Sequence, residues 1–416
     1  MKKDSSYLWH PFDVLEIPEE IVITSGEGVY LHTQDGRKIL DAISSWWVNL
    51  HGHNHPVINQ ALKDQVEKLE HVIFSGFTHQ PAIKLAEKLI RILPGNMSKI
   101  FLSDDGSTAV EVAIKMALQY WHNQGIPRKK IVAIEGAYHG DTFGAMSVGA
   151  RSAFNAPFNS LLFDVEFIDF PENEISVTQL ETLLQANDVA AFIYEPLIQG
   201  AGGMRIYSSD ILQALIQTAK SFNILCIADE VMTGFGRTGK NFASEHCTVF
   251  PDIICISKGL TGGYMPLGAT SCTAEVYAPF ESSDVYKLFF HGHSYTGNPL
   301  ACAVANASTD LLVSNQCKTQ RDQIAQSYIL AKELLKRAKN IENVRSLGTI
   351  LAVDISNNNP KGYFSETRNA LYTEFLKRDI LLRPLGNTVY LLPPYLISPS
   401  ELAKVISAII EVAELV

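Results

Sequence analysis

Five short apolar runs recur between residues 99 and 258, and they constrain the fold more than any other feature. Each has about five apolar residues bounded by polar residues, Gly or Pro: KIFLS (99–103), KIVAIEG (130–136), AAFIYEP (190–196), ILCIADE (224–230) and DIICISK (252–258). The stretches between them have helical spacing, so that Val110 and Ala117, for example, lie on one helix face. Apolar strands separated by helices are typical of a mainly parallel sheet sandwiched by helices. We therefore predict an α/β fold.

The two ends of the chain have a different pattern. Residues 21–43 predict short strands, with turns at Gly26–Gly28 and Asp35–Gly36. From about residue 320 the helical segment QSYILAKELLKRAKN is followed by strand signals and a last amphipathic helix. We predict a large domain over 58–318 and a C-terminal small α+β domain over 319–416, which the N-terminal segment 1–57 joins.

Composition excludes several classes of protein. The net charge of −10, without a Lys/Arg run, argues against a nucleic-acid or membrane-surface partner. The N-terminus MKKDSSYLWHPF lacks the apolar core of a signal peptide, and no window approaches ~18 apolar residues. No CxxC spacing links the six cysteines, which indicates buried free thiols in a reducing cytoplasm: Cys226, Cys247, Cys255, Cys272, Cys302 and Cys317.

Polar groups follow each predicted strand. Ligands of open α/β sheets bind at the carboxyl ends of the strands, so we expect these groups to converge on one edge. They are Asp104-Asp105-Gly106-Ser107, Gly136-Ala137-Tyr138-His139, Glu195-Pro196, Asp229-Glu230 and Ser257-Lys258-Gly259.

The Gly106-Ser107-Thr108 segment follows a strand and opens a helix. Backbone N–H groups at a helix N-terminus, beside small residues, form a phosphate site. A simple Ser/Thr helix cap is the alternative, and it is the commoner use of such a segment.

Asp229 and Lys258 end neighbouring predicted strands, 29 residues apart. A carboxylate in that position can keep a heteroaromatic nitrogen protonated, as pyridoxal 5'-phosphate (PLP) requires. A desolvated lysine forms Schiff bases with carbonyls. Each residue alone is more often a capping carboxylate or a solvated lysine. Together with the phosphate-type turn at Gly106, they indicate a PLP site.

Tyr138 and His139 follow another strand. The Tyr138 ring can cover a flat cofactor, or it can be a packing aromatic. His139 is a candidate for stacking on the cofactor ring or for orienting a neighbouring group, and Glu195 is a second acid at the same edge.

The motif HGHNHP offers a competing site. In an extended chain His51, His53 and His55 would share one face and could bind a metal. Gly52 and Pro56 indicate an irregular turn instead, and the cluster has no carboxylate. Hydrogen-bonded loop histidines are the alternative that we favour over a metal-dependent hydrolase.

The motifs DDGSTAVEVAIKMA, GAYHGDTFGAMS, IADEVMTGFGRTG and SKGLTGG resemble the class III, fold-type I PLP-dependent aminotransferases, and the resemblance extends from WHPF at 9–12 to RPLG at 383–386. The segments SSWWVNLHGHNHP, QGAGGMR and HGHSYTGNP are similar to the biotin-pathway branch of this family. That branch converts 8-amino-7-oxononanoate to 7,8-diaminononanoate. The resemblance implies a homodimer with shared active sites.

The resemblance also implies roles for individual residues. Lys258 would carry PLP and shuttle a proton, Asp229 would bind the ring nitrogen, and Tyr138 would stack on the ring and line the substrate site. The phosphate would contact Gly106 and Ser107, together with His293 and Ser294 contributed by the second subunit. The substrate pocket would be formed by Phe12, Trp46, Trp47, Gly292 and Arg383, with Arg383 pairing a substrate carboxylate. If the tryptophans were on a regular strand, only one could face the pocket.

Two departures concern the amino donor. Members that use S-adenosyl-L-methionine commonly have Tyr where this chain has Phe12, and His293-Ser294 replaces the family's Pro-Thr. HGHSYTGN resembles lysine-using members, whereas SSWW resembles adenosylmethionine users. We expect S-adenosyl-L-methionine as donor, with lysine as the alternative. An ω-aminotransferase for ornithine or 4-aminobutyrate is the rival enzyme, and a cofactor-free scaffold is the rival non-enzyme.

Overall fold

The computed structural model describes residues 7–12, 21–356 and 366–415. Parts of the predicted small domain, and part of the N-terminal segment predicted not to be a signal peptide, lie outside these residues. Its strands are β1 Ile23–Glu27, β2 Tyr30–Thr33, β3 Lys38–Asp41, β4 Met97–Ser103, β5 Lys130–Ile134, β6 Val165–Ile168, β7 Val189–Tyr194, β8 Ile198–Gln199, β9 Arg205–Ile206, β10 Leu225–Asp229, β11 Ile253–Ile256, β12 Gly268–Thr273, β13 Ile341–Leu347, β14 Ile350–Ile355, β15 Ile380–Leu381 and β16 Thr388–Leu391.

Its α-helices are α1 Pro56–Val66, α2 Gln80–Ile92, α3 Gly106–Asn123, α4 Phe143–Val148, α5 Ile175–Leu184, α6 Ser209–Ser221, α7 Ala274–Tyr277, α8 Pro299–Leu312, α9 Asn315–Leu335, α10 Glu366–Lys377 and α11 Pro399–Leu415. Short 3-10 helices span Ala156–Leu161, Ala243–His246, Lys258–Thr261, Ala278–Phe280 and Val285–Lys287.

A seven-stranded sheet in the order β4-β12-β11-β10-β7-β5-β6 forms the centre of the molecule. The pairs between β11, β10, β7, β5 and β6 are parallel, whereas β12 is antiparallel to both of its neighbours. All residues of β7, β10, β11 and β12 are buried. The prediction of a mainly parallel sheet is therefore confirmed. The carboxyl ends of the parallel strands lie at the same edge of the sheet.

Helices cover both faces of this sheet. Val110, Ala113, Ala117 and Tyr120 of α3 are buried in an apolar cluster against one face. Leu180 of α5 belongs to a second cluster, with Leu212 and Leu215 of α6. Burial of a leucine side chain stabilises a fold by ~1.5–3 kcal/mol, so these clusters hold the sheet rigid beneath the strand ends.

Residues from both ends of the chain meet in a second sheet, of order β1-β2-β3-β15, in which β15 pairs with β3 in parallel. The antiparallel sheet β13-β14-β16 adjoins α9 and α11 in sequence. The predicted boundary at 318/319 falls inside α9, which begins after the Ser314 cap, and the boundary at 57/58 falls inside α1.

Residues Ser44–Trp47 form one turn of left-handed helix between the second sheet and the central one. All four have positive φ, from 44° at Ser45 to 79° at Trp47. The turn is closed by Trp47 N–H donating to Ile43 O (2.8 Å) and Val48 N–H donating to Ser44 O (2.9 Å). A left-handed conformation costs about 1–2 kcal/mol per L-residue, so surrounding contacts must hold this turn.

All six cysteines are buried and free, as predicted from their sequence context. Over the parts of the chain that the structure describes, no helix combines the length and apolar character needed to cross a membrane.

Candidate active site

A cavity of about 460 Å³ opens at the carboxyl edge of the central sheet. The structure brings together there the groups that follow five separate strands. Among the residues lining the cavity are Gly106, Ser107, Tyr138, His139, Glu195, Asp229, Lys258 and Trp47. The prediction that the groups after the strands converge on one edge of the sheet is thus confirmed.

Lys258 follows β11 and begins a 3-10 helix. Its φ of 26° lies outside the range that L-residues favour, and such strain is often found at functional sites. The Nζ atom lies 4.6 Å from the ring centroid of Trp47. Desolvation lowers the pKa of Lys258, while the nearby Asp229 and Glu195 carboxylates act in the opposite direction. The net effect increases the fraction of neutral, nucleophilic amine.

Asp229 and His139 form a buried pair at the end of β10. His139 Nδ1 lies 2.7 Å from Asp229 Oδ2, and the Val231 N–H donates to Asp229 Oδ1 (3.0 Å). An ionised carboxylate only accepts hydrogen bonds, so the proton of this pair is assigned to Nδ1. The pair fixes the plane of the carboxylate, which lines the cavity and retains lone pairs for a further donor.

Glu195 anchors the backbone beside it. Its Oε1 accepts the Tyr138 N–H (3.1 Å) and its Oε2 accepts the Gly200 N–H (2.9 Å). Burial raises the pKa of Glu195 to about 7. The carboxyl group therefore holds Tyr138 in place while carrying a proton for part of the time at neutral pH.

Tyr138 presents its ring to the cavity with 39% of the side chain exposed. Burial of the hydroxyl, with Asp141 next in importance, raises its pKa. The phenol is consequently neutral at physiological pH and can serve as a flat wall with a hydrogen-bonding tip.

The first turn of α3 faces the cavity. Asp105 caps the helix, since its carboxylate accepts the Thr108 N–H (2.9 Å) and the Thr108 hydroxyl accepts the Asp105 N–H (3.1 Å). Ser107 takes no part in the cap, and its Oγ accepts the Asp141 N–H (3.1 Å) instead. A Cβ on Gly106 would lie 2.7 Å from Val231 Cγ1. Thr108 thus shares in a capping box, as the helix-cap alternative expects, although Asp105 is the N-cap residue. The N–H groups of the first turn can also bind an anion.

These residues fit PLP. The cavity provides a desolvated amine, a carboxylate oriented by a histidine, an aromatic wall and a helix N-terminus that begins with a closely packed glycine. His139 Nε2 is buried and has no hydrogen-bond partner among the described residues, which is consistent with a site for a bound group in this cavity.

The two tryptophans diverge, although they are not on a strand. Trp47 is buried, lines the cavity and donates from Nε1 to the Tyr390 hydroxyl (3.0 Å). Trp46 lies outside the cavity, where the Arg383 guanidinium is 4.6 Å from its ring centroid. The Phe12 ring contacts the Trp46 ring edge-on, with 5.6 Å between the two ring centroids. The left-handed turn, rather than a strand pleat, separates the two indoles.

Among the described residues, the buried Nε of Arg383 has no hydrogen-bond partner, and no carboxylate pairs with its guanidinium. Gly292, His293 and Ser294 are on an exposed loop that does not line the cavity of the same chain. His293 Nδ1 lies 3.5 Å from Asp104 Oδ2, and Asp104 does line the cavity, so this loop is close to its rim.

The three histidines of HGHNHP have separate partners. His51 Nε2 contacts Ser308 O (3.0 Å), and burial lowers its pKa to about 3. His53 Nε2 contacts Asp41 Oδ2 (2.9 Å), and His55 caps α1 by accepting the Val57 N–H. The described residues contain no cluster of three or more potential ligands that could hold a metal ion.

Three further residues shape the site and were not predicted from the sequence. Tyr390 holds Trp47, Arg237 donates to Trp47 O (3.2 Å), and Asp41 contacts the turn that carries both tryptophans. Arg237 is 190 positions from Trp47 and Tyr390 is 343 positions from it, so no local pattern indicates either contact. For Asp41, the only signal was a charged residue ending an apolar strand.

The chain belongs to the class III aminotransferase family, since the model of the family "Aminotransferase class-III" matches residues 13–413. It is 48% identical to the adenosylmethionine-8-amino-7-oxononanoate aminotransferase of Synechococcus elongatus, over 98% of each chain. It is 38% identical to the enzyme of the same name from Helicobacter pylori, over 99% of this chain and 97% of that one.

Two solved structures that are similar to this chain are also aminotransferases. The adenosylmethionine-8-amino-7-oxononanoate aminotransferase of Methanocaldococcus jannaschii superposes with a TM-score of 0.95 at 34% identity, covering 100% of this chain and 98% of its own. A PLP-bound amine transaminase from an uncultivated Pseudomonas species superposes with a TM-score of 0.91 at 31% identity, covering 98% of both. The protein is thus a fold-type I, PLP-dependent aminotransferase acting on small molecules.

Proposed function

We propose that the protein transfers an amino group from S-adenosyl-L-methionine to 8-amino-7-oxononanoate, giving 7,8-diaminononanoate for biotin biosynthesis in the cytoplasm. The observation that carries this proposal is an indole wall beside a cation: Trp47 faces Lys258, and Arg383 stacks on Trp46, where no carboxylate of the described residues pairs with its guanidinium. An apolar chain ending in a carboxylate suits this combination. The names of the relatives from Synechococcus elongatus and Methanocaldococcus jannaschii support it.

Lys258 is the residue that would hold the cofactor, through Nζ. When bound, PLP supplies an electron sink for the carbon that loses its proton. Once released, the Lys258 amine takes up and returns that proton, and desolvation keeps it neutral enough to do so. General acid–base help of this kind contributes ~10²–10⁴ in rate.

Asp229 would hold the ring nitrogen, with His139 orienting its carboxylate through the 2.7 Å contact. Tyr138 would cover one ring face, and Glu195 holds the Tyr138 backbone in position. The N–H groups of Gly106 and Ser107 would hold the phosphate. Each of these groups is fixed by a rigid strand end or helix start, which reduces the reorganisation needed during reaction.

Arg383 would pair the carboxylate of the acceptor, and a bidentate pair gives orientation as well as energy. Trp47 would line the aliphatic chain inside the cavity and Trp46 would line it just outside. Phe12, together with Gly292 contributed by the second subunit, would lie at the outer end of the pocket. The acceptor then extends from Lys258, where its ketone reacts, toward Arg383.

A homodimer is part of the proposal. Tyr286 is 84% exposed and Phe290 73% exposed, which is unusual for large apolar side chains on a free surface. Both precede the Gly292-His293-Ser294 loop in the chain. This loop lies outside the cavity of its own chain, and His293 and Ser294 would complete the phosphate site of the second subunit.

The amino donor has a specific alternative. Phe12 contacts Trp46 and Phe154 and offers no hydroxyl to a polar donor. Lysine is therefore the second candidate, and the acceptor is the same in both cases.

The test uses purified holoenzyme with 8-amino-7-oxononanoate and one donor at a time: S-adenosyl-L-methionine, lysine, ornithine or 4-aminobutyrate. Mass spectrometry of the products should detect 7,8-diaminononanoate with S-adenosyl-L-methionine, and none from a Lys258→Ala control. Diamine with lysine alone would overturn the donor. No diamine with any donor would overturn the proposed reaction.

A further inference from the structure

The left-handed turn Ser44–Trp47 requires an external support. Its four φ angles are 52°, 44°, 73° and 79°, and none of the four residues is glycine. Only glycine adopts such angles without strain. Strained backbone of this kind persists when neighbouring groups over-determine it.

Asp41, at the end of β3, supplies that support. Its Oδ1 accepts the N–H groups of Ile43 (3.2 Å) and Ser45 (2.9 Å), and its Oδ2 accepts the Ser45 hydroxyl (2.7 Å). The residue is fully buried. Three of its hydrogen bonds therefore go to the first half of the turn and its approach.

His53 holds the same carboxylate from the other side. Its Nε2 lies 2.9 Å from Asp41 Oδ2, which assigns the ring proton to Nε2. The His53 backbone is fixed in a bridge to Gly28, and a Cβ on Gly26 would lie 2.8 Å from His53 Cβ. An ionised carboxylate has about four acceptor positions, and this arrangement uses all of them.

We propose that Asp41 and His53 are positioning residues for the transamination. Through the turn they place Trp47 with its ring centroid 4.6 Å from Lys258 Nζ, and Trp46 with its ring centroid 4.6 Å from the Arg383 guanidinium. The pair thus sets both ends of the acceptor pocket at once. The kinetic consequence rests on the proposed function, whereas the structural consequence concerns only this chain's own residues.

The first experiment reads the indoles directly. Holoenzyme containing 5-fluorotryptophan is compared by ¹⁹F NMR with its Asp41→Ala variant, and the signals of Trp9, Trp46, Trp47 and Trp121 are assigned by Trp→Phe substitution. We expect the Trp46 and Trp47 signals to shift or broaden and the Trp121 signal to stay. Leu40→Ala is the matched control, because Leu40 is buried in the same strand but contributes no hydrogen bond to the turn.

The second experiment uses kinetics and a rescue. In Asp41→Ala we expect KM for 8-amino-7-oxononanoate to rise at least about 10-fold, since small displacements of positioning groups have large effects. We expect Leu40→Ala to change it less than about 2-fold. Ser45→Gly relieves the strain at a φ of 44°, so in that background Asp41→Ala should raise KM by less than about 3-fold.

Unchanged Trp46 and Trp47 signals in Asp41→Ala, or equal changes in Leu40→Ala, would overturn the positioning role. Absence of rescue by Ser45→Gly would also overturn it, since a purely structural loss does not depend on the φ of Ser45. If Asp41→Ala fails to fold, Asp41→Asn and His53→Ala replace it in both experiments. A protein that forms no diamine would refute the proposed function, while the ¹⁹F signals would still decide this inference.

Discussion

His139 and Asp229 are 90 positions apart in sequence, and their side chains meet at 2.7 Å inside the cavity wall. The contact joins the loop after β5 to the end of β10, so two strands of the central sheet determine the orientation of one carboxylate. Because both side chains are buried, the carboxylate cannot rotate freely toward solvent. The fold therefore fixes the orientation of the carboxylate that would bind the ring nitrogen of the cofactor.

Loss of this contact should weaken catalysis. A hydrogen bond to a charged group is worth ~1.5–3 kcal/mol, so we expect His139→Leu to lower kcat/KM by about 10- to 100-fold. His139→Asn keeps an amide donor near the position of Nδ1 and should lose less. Steady-state kinetics of the two variants, with cofactor affinity measured by absorbance, provide the comparison. Equal losses in both would show that the contact with Asp229 is not the cause.

Glu195 should make stability depend on pH in the cofactor-free protein. Burial raises its folded-state pKa to about 7, from 4.5 for the ordinary carboxyl group. The stabilisation of the protonated form is complete below the unfolded-state pKa, and it is lost as pH rises through about 7. Relative to Glu195→Gln, we expect the free energy of unfolding of the wild type to fall by about 3 kcal/mol over this range.

Urea unfolding at several pH values between 4 and 8 measures the difference. Glu172→Gln, which alters an exposed carboxylate, is the control and should keep the wild-type dependence on pH. Parallel curves for the wild type and Glu195→Gln would contradict the prediction.

Gly106→Ala should weaken cofactor binding, because the new Cβ would lie 2.7 Å from Val231 Cγ1. Valine cannot swing away easily, and overpacking of this kind costs ~1–3 kcal/mol. We expect a roughly 5- to 100-fold larger Kd for PLP, measured by absorbance titration. Gly149→Ala is the control, since its Cβ would have only ordinary contacts, of 3.4 Å and longer. A Kd that is the same in both variants would refute this account of the helix start.

Arg383→Met should raise KM for 8-amino-7-oxononanoate by about 10- to 100-fold, the value of a charge-assisted hydrogen bond. Arg383→Lys should have an intermediate effect, because lysine keeps the charge but not the planar stack on Trp46. Arg378→Met removes an arginine whose partners are Glu374 and Glu411, and it should leave KM unchanged. Initial rates over a range of acceptor concentrations test all three. An unaltered KM in Arg383→Met would exclude the carboxylate role.

The central sheet and the strand-end residues could be predicted from the sequence because each depends on a local pattern. The apolar runs that end at Asp229 and Lys258 indicate a strand, the position where the strand ends, and a reactive residue at that end. Strand β12, Gly268–Thr273, was missed because its small polar residues, such as Ser271, do not form an apolar run. Its burial arises from antiparallel pairing with β4 and β11, which no local signal specifies.

The turn at Trp46 and Trp47 could not be predicted for a different reason. Four consecutive non-glycine residues with positive φ contradict local backbone preference, so the conformation is imposed by distant contacts. Ser44 donates to Leu392 O, and Trp47 donates to Tyr390, more than 340 positions away. The tertiary structure overrides the local preference here, beside the reacting lysine.

If Lys258 carries the cofactor, chemical reduction should fix the cofactor to this residue. The holoenzyme is treated with borohydride, digested and sequenced by mass spectrometry. We expect the added pyridoxyl mass on the peptide containing Lys258, and none in a Lys258→Ala protein. Label on another lysine, or an unlabelled Lys258 in protein that still transaminates, would contradict it.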